Sequence, residues 1–438
     1  MFLTKKSAYG WVDNIKRISL IVCTSLLGFT GCKTLDTIAV GDVGGIPQVG
    51  PQTGPQRDSG LYSEPKKKHY PYLSEVYLDV VIPVFDPGLP LNEWGDIDYK
   101  SVEKQGIWPQ LRRSEANRFA VETRRAVEKL NAFGAVSVVP SAFVSGDVYI
   151  LGHIMESDSE TIRLAVAIVD SQGKSWGKKE FTHQVAEGFF RDRANVDKDP
   201  YEPIFNRIAD YIYQRLAHKS ETEKKTIKTI TDLRYAQLYS PEVFGQHIKV
   251  QKNWAGNTEY QLVSLPSENA AMVQRIKPLK VQDQLFIDRL QPHYEGFNAR
   301  SDESYRTWQK ETLPEVVSIK KNWGERNLRA GAGIALATLA VLLSKNSNSK
   351  AGDIGTTVGL LASGFFINSA LNKNAELKIH KQSIDELGES LDIELSPQLM
   401  VHNDHTVELT GTANEQYQQW KNHLKAIYEL EKTPNKQL

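Results

Sequence analysis

Cys32 ends a run that sets the terms for the rest of the chain. Residues 18–32 read ISLIVCTSLLGFTGC, and Lys5, Lys6, Lys16 and Arg17 lie ahead of them. Basic residues, a short apolar stretch and small residues before a break are the pattern of a secretory signal. The apolar stretch is about 12 residues long, and a helix needs about 20 to span a bilayer. The chain has 2 cysteines, Cys23 and Cys32. A cut before Cys32 removes the first and leaves the second at the new N-terminus with nothing to pair with. No disulfide or cysteine-ligated zinc is then open to the mature chain. The fold must come from ordinary apolar cores. A chain of 438 residues, 40% apolar and 24% charged, has the composition for this and the length for about three domains.

The ending Thr30-Gly31-Cys32 resembles the lipobox of bacterial lipoproteins, with Phe29 where that family usually carries leucine. The resemblance implies a signal peptide over residues 1–31 and diacylation of Cys32, the expected lipidation site. Lys33, where the family's inner-membrane members carry Asp, implies sorting to the outer membrane. An uncleaved anchor or an ordinary secretory peptide would show a similar pattern. Residues 32–71 read as a lipidated flexible tether. Gly44, Gly45, Pro47, Gly50, Pro51, Gly54 and Pro55 crowd its middle, and such a stretch buries too little to offset its ordering entropy. The whole chain carries 53 basic and 53 acidic residues. Losing residues 1–31 leaves a net charge of about −3, which gives no basic face for nucleic acid.

Order is expected from Tyr72 onward. Residues 76–85 (VYLDVVIPVF) read as a strand, and Pro83 within it points to a sheet edge. Residues 114–130 read as a helix, with Ser114-Glu115 as its start and Gly134 as its stop. Strands are expected at 136–139, 147–155 and 161–170, then a turn at Ser171-Gln172-Gly173-Lys174 and a returning strand at 176–185. Residues 203–216 read as an amphipathic helix. This order closes on itself and marks residues 72–217 as a domain.

That order resembles the small α+β domain of the curli secretion-channel lipoprotein family. It also resembles the amino-terminal domain of the Tol-system propeller protein. The residues that carry the likeness are 134–139 (GAVSVV), 146–152 (GDVYILG), 168–176 (IVDSQGKSW) and 208–213 (IADYIY). Residues 218–438 depart from both families, with no repeated blade pattern and no paired amphipathic strands suited to a membrane barrel.

Residues 218–328 read as mostly helical, with helices over 222–238 and 268–290 and a break or kink at Pro278. Trp254, Trp308 and Trp323 are expected to be buried. Residues 329–372 are almost uncharged and Gly-rich and read as a helical hairpin around the polar turn at residues 345–350. Gly331 and Ala335, then Gly355, Gly359 and Ser363, fall at the spacing that lets helix backbones approach closely. The first arm has about 14 apolar residues, too few to cross a bilayer alone. The second is long enough, but its Thr, Ser and Asn residues weaken that reading. Burial in protein, within an oligomer or a core, is therefore preferred to insertion in lipid. Residues 373–438 read as a small C-terminal α+β cap. It has a helix over 374–387, strands at 391–395 and 406–409, and a closing helix over 415–430. The fold class expected is α+β: an N-terminal α+β sandwich domain, a mainly helical region, the apolar hairpin and the cap.

No nucleophile elbow, phosphate-cradling loop or zinc-protease motif is present, so no catalytic residue is assigned. His402 and His405 flank Asn403-Asp404 on a turn, and Asp192, Asp197 and Asp199 lie near Arg191, Arg193 and Lys198 in a polar loop. Neither set has enough spaced ligands to be assigned a metal, and both read as solvated. No cofactor is expected. The expectation is a non-enzymatic outer-membrane lipoprotein facing the periplasm, bound to the membrane by its lipid and to envelope proteins or copies of itself. Alternatives are an oligomeric secretion or pore-forming lipoprotein, and an envelope enzyme without a recognisable motif. If the hairpin is an association element, Gly359→Leu should lower the native mass of the detergent-extracted protein without releasing it from the membrane. An unchanged mass would remove that role.

Overall fold

The computed structural model describes residues 72–267, 270–329, 375–402 and 405–432. In chain order the elements are β1 (Val80–Pro83), α1 (Tyr99–Gln105), α2 (Pro109–Glu128), β2 (Val136–Val139), β3 (Val148–Ser157), β4 (Thr161–Asp170) and β5 (Ser175–Gln184). Then come α3 (Glu202–Ala217), α4 (Glu221–Gln237), α5 (Pro241–Phe244), β6 (Ile248–Lys252), β7 (Thr258–Leu262) and α6 (Ala271–Arg329). The last are α7 (Ala375–Leu387), β8 (Gln398–His402), β9 (His405–Leu409) and α8 (Ala413–Lys432). The described chain is mixed α/β, with one five-stranded sheet and two hairpins. Asn92–Asp96 groups apart from the rest. It is a turn in which Asn92 Oδ1 accepts from the Trp94 and Asp96 N–H groups. All of the helices and strands belong to the other unit.

Alternation builds the main sheet. Ile162, Leu164, Val166 and Ile168 are all fully buried, because residues two apart on a strand share a face. β4 pairs antiparallel with β3 and β5, setting Val166 opposite Gly152 and Ile168 opposite Ile150. The sheet order is β2-β1-β3-β4-β5, and β1 runs parallel to both of its neighbours. β1 is therefore interior, not the edge that Pro83 implies. Pro83 is the last residue of the strand and pairs only with Val139, past the point where β3 pairing stops. Its missing N–H costs the ladder little there.

Helices α2 and α3 cover this sheet. α2 starts at Pro109, five residues before the expected Ser114-Glu115 signal, since proline suits the first helical turn and Trp108 enters it extended. Gly134 does not stop the helix, which ends at Glu128. Its N–H donates to Leu78, and a Cβ there would meet Asp79 Oδ1 at 2.4 Å. Its smallness serves the β1–β2 contact.

The region after α3 contains more than helices. β6 and β7 form a hairpin where a mostly helical stretch is expected. Trp254 at its tip is 99% exposed, not buried, whereas Trp308 is buried. The side chain of Trp323 lies outside the described residues. α6 runs on through Pro278 to Arg329, with Pro292 and Pro314 also inside it. Burial of Ile276, Leu279, Phe286, Ile287, Leu290 and Tyr294 offsets the bonds that the prolines remove. In the C-terminal part, residues 391–395 make only an isolated bridge, Glu394 to Thr412. The partner of β9 is β8, which starts just after Pro397. β8 and β9 pair with each other, leaving 391–395 to bury Ile393 and Leu395. α7 packs on α6 and α2, and α8 stacks Trp420 on Phe286 of α6. One buried apolar cluster runs from the sheet through α6 to α8.

Gly152 lies beneath the Phe85 ring, which a Cβ would meet at 2.3 Å. Phe85 is fully buried and has nowhere to move. Gly152→Ala should destabilise the protein by about 1–3 kcal/mol in chemical denaturation, and Phe85→Leu in the same chain should recover part of the loss. Equal stability of Gly152→Ala and wild type would refute this contact.

Candidate functional site in a buried polar seam

The buried face of α2 is not only apolar. Ser114, Glu115, Asn117, Arg118 and Thr123 are buried beside Ala116, Phe119 and Ala120. Buried charge is costly unless it is paired and hydrogen-bonded. Each of the two main charges has its hydrogen-bond partners on distant elements.

Glu115 is fully buried. Its Oε1 accepts from the Ser157 hydroxyl on β3 at 2.6 Å and from the Tyr305 hydroxyl on α6 at 2.8 Å, with Arg112 Nε 3.8 Å from Oε2. Burial pushes its carboxyl above the ordinary range, against the pull of Arg112, Ser157 and Tyr305. One turn along, Arg118 donates to Asp199 at 2.9 Å and to Asp302 at 2.7 Å. It also donates to Asn298 at 3.3 Å, and its guanidinium lies 4.7 Å from the Tyr305 ring centre. Burial opposes its charge, but Asp199, Tyr305 and Asp302 outweigh burial and keep it protonated. The third member is Lys320 near the end of α6. Its ammonium sits 2.7 Å from Asp158 and 3.2 Å from Glu160 in the β3–β4 turn.

The seam thus joins α2, the sheet and α6. Arg118 also lines a cleft of about 490 Å³ with Arg125, Lys129, Glu202 and Asp302. The signs in that cleft are mixed. Among its cations Arg125 pairs with Glu122 and Arg306 with Asp302. A second cleft, of about 450 Å³, flanks β2. There the Gln291 amide accepts from the Val138 N–H and donates to the Val138 carbonyl, both at 2.9 Å. A side chain of α6 thereby occupies hydrogen-bonding groups on the outer edge of β2. Glu115 lines neither cleft. A protonated Glu115 can donate one hydrogen bond inside the seam.

A second buried acid lies where α4, α6 and α8 meet. Asp283 accepts from the Tyr417 hydroxyl at 3.3 Å, and its Oδ1 is buried without a hydrogen bond. The Tyr235 and Tyr239 hydroxyls pair nearby at 3.0 Å. Burial pushes the Asp283 carboxyl up to about 6, against the pull of Lys421, Tyr417 and Lys280.

The site residues expected from sequence fall largely elsewhere. Cys32 and the hairpin residues Gly331, Ala335, Gly355, Gly359 and Ser363 lie outside the described residues. His402 and His405 stand opposite one another in the β8–β9 register. Among the described residues no cluster of three or more His, Cys, Asp or Glu is placed to hold a metal ion. The polar loop before α3 is not solvated throughout, as its composition suggests. Asp192 caps the Ala194 N–H there, but Asp199 is drawn in to Arg118, because a buried guanidinium needs a carboxylate. No local pattern marks the seam in the sequence. Glu115 and Arg118 are three apart on a helix, a spacing equally suited to solvent, and their hydrogen-bond partners lie 42 to 190 residues away. The chain matches no protein-family model, no curated protein and no solved structure.

Asp283 generates a prediction with a definite sign. Its folded-state value is raised, so its contribution to stability is fully present below the unfolded value near 4 and is lost as pH rises through about 6. Asp283→Asn cannot ionise. It should match wild type near pH 4 and be more stable at pH 7.5 by up to about 3 kcal/mol. Denaturant titrations at the two pH values measure this, and a stability difference independent of pH would contradict it.

Proposed function

We propose that this chain is a non-enzymatic lipoprotein of a Gram-negative outer membrane, facing the periplasm and acting as a scaffold or assembly factor. The observation that carries the reading is the basic, apolar and small-residue run that ends at Thr30-Gly31-Cys32. Among the described residues no helix is long and apolar enough to cross a membrane. In this reading an acylated Cys32 supplies the attachment. One acyl chain binds a membrane only marginally and two or more hold it stably, which lipoprotein maturation provides.

The finer arrangement belongs to the same proposal. Residues 72–217 form an α+β sandwich domain resembling that of the curli lipoprotein family, 218–328 a helical region, and 373–438 a cap. Residues 329–372 form the hairpin between the last two. Glu115, Arg118 and Lys320 are used in joining layers of the fold. Gly355, Gly359 and Ser363 favour association with helices of a partner or of a second copy.

Cys32→Ala should abolish incorporation of labelled palmitate and move the protein from the membrane fraction to the soluble fraction. Wild type without label, together with a Cys32→Ala chain that fractionates like wild type, would overturn the anchor.

A further inference from the structure

The β6–β7 hairpin ends in an aromatic side chain that the fold holds out into solvent. Trp254 is 99% exposed, and Val250 behind it is 57% exposed. The turn beneath it is closed on itself. Asn253 Oδ1 accepts from the Ala255 and Asn257 N–H groups, both at 3.0 Å, and the Asn253 N–H donates to the Asn257 carbonyl at 2.9 Å. Gly256 takes the left-handed conformation, φ +81°, that the turn needs. The hairpin is also fastened at its base. The Tyr260 N–H donates to the Gln172 carbonyl at 2.8 Å, and the Arg234 guanidinium lies 4.0 Å from the Tyr260 ring centre. The chain therefore spends order on presenting an indole to the outside, where an apolar ring is least stable.

Exposed cations outnumber acids around the tip. Lys252 adjoins the turn and is exposed, and Lys249 is exposed further up the same strand. Lys174 is exposed on the β4–β5 turn, whose Gly173 abuts the Thr258 backbone directly across from Lys252. The one acid of the hairpin, Glu259, is engaged by the Asn253 side chain at 2.9 Å. An indole with an apolar body and a polar N–H, on a tip flanked by exposed Lys252 and Lys174, fits the headgroup level of a bilayer that carries negative charge.

We propose that the β6–β7 tip is a lipid-contact site: Trp254 enters the headgroup layer of an anionic phospholipid surface, and Lys252 and Lys174 face its phosphates. The proposal deepens the membrane-anchored reading, since a tethered protein meets such a surface continually. About 40 residues separate Cys32 from Tyr72, a reach of at most about 140 Å, so the anchor leaves the tip free to touch the bilayer.

The test uses the full chain carrying Cys32→Ala, so that no acyl group contributes and failure of the lipid anchor cannot decide the outcome. Emission from Trp254 is isolated as the difference between this chain and the same chain with Trp254→Phe. Vesicles of phosphatidylcholine with about 30% phosphatidylglycerol should shift that emission to the blue, and brominated lipid should quench it. Pure phosphatidylcholine should do so at least several-fold less. Lys252→Glu with Lys174→Glu should weaken the response about tenfold or more. Trp254 is almost wholly exposed, so its replacement leaves the melt unchanged and folding is not in question. Difference emission that stays red and unquenched on the anionic vesicles overturns the proposal, even if the protein binds them by another segment. A blue shift without vesicles that grows with protein concentration also overturns it, in favour of self-contact.

Discussion

The bond set of Arg118 is the constraint on which the rest of this structure depends. A guanidinium on a residue 2% exposed must be met by acceptors, and here they come from the loop before α3 and from α6. Removing one partner of a buried pair leaves an uncompensated charge, at a cost of about 3–5 kcal/mol. α2, the loop before α3 and α6 are thereby tied by directional bonds as well as by apolar packing. Leu, Ile and Phe tolerate small sliding displacements, whereas a guanidinium shared between two carboxylates does not.

The same logic recurs away from Arg118. Glu115 joins β3 and α6 through Ser157 and Tyr305, and Lys320 returns from α6 to the β3–β4 turn. Gln291 fastens α6 to β2 through the backbone of Val138. Long helix α6 acts as a spine to which the sheet is attached at several points along its length. Asp283 fits this pattern less well. Its carboxyl has one hydrogen bond from Tyr417 and carries its burial cost once ionised. Its contribution to stability is therefore lost as pH rises through about 6, not as it falls.

Much of the sheet is legible in the sequence because its signal is local. The alternation in residues 161–170 and the Ser171–Lys174 turn sit within a few residues of one another, and β4 and the turn fall where expected. β1 is legible as a strand but not in its place. Pro83 looks the same whether it closes an interior strand or sits in an edge strand, and only the end of pairing with β3 distinguishes them. The hairpin at β6 and β7 escapes a reading of the sequence although IKVQK and TEYQL flank Gly256. Each strand is five residues long, and so short an alternation gives little signal.

Sequence by itself determined which segments can be strands or helices, because backbone periodicity and turn residues act over a few positions. It also carries the basic, apolar and small-residue run ending at Cys32 on which the proposed function rests. Only the tertiary structure decided which polar residues go inside. Glu115 and Arg118 carry no local mark of burial. Their charges are tolerable there because Ser157, Asp199, Asp302 and Tyr305 arrive from elements far along the chain. Trp254 is the converse case. Its side chain is as apolar as that of Trp308, but the closed turn around Asn253 points it away from every buried surface. Burial is settled by what the folded chain brings alongside a residue, and a single side chain does not contain that information.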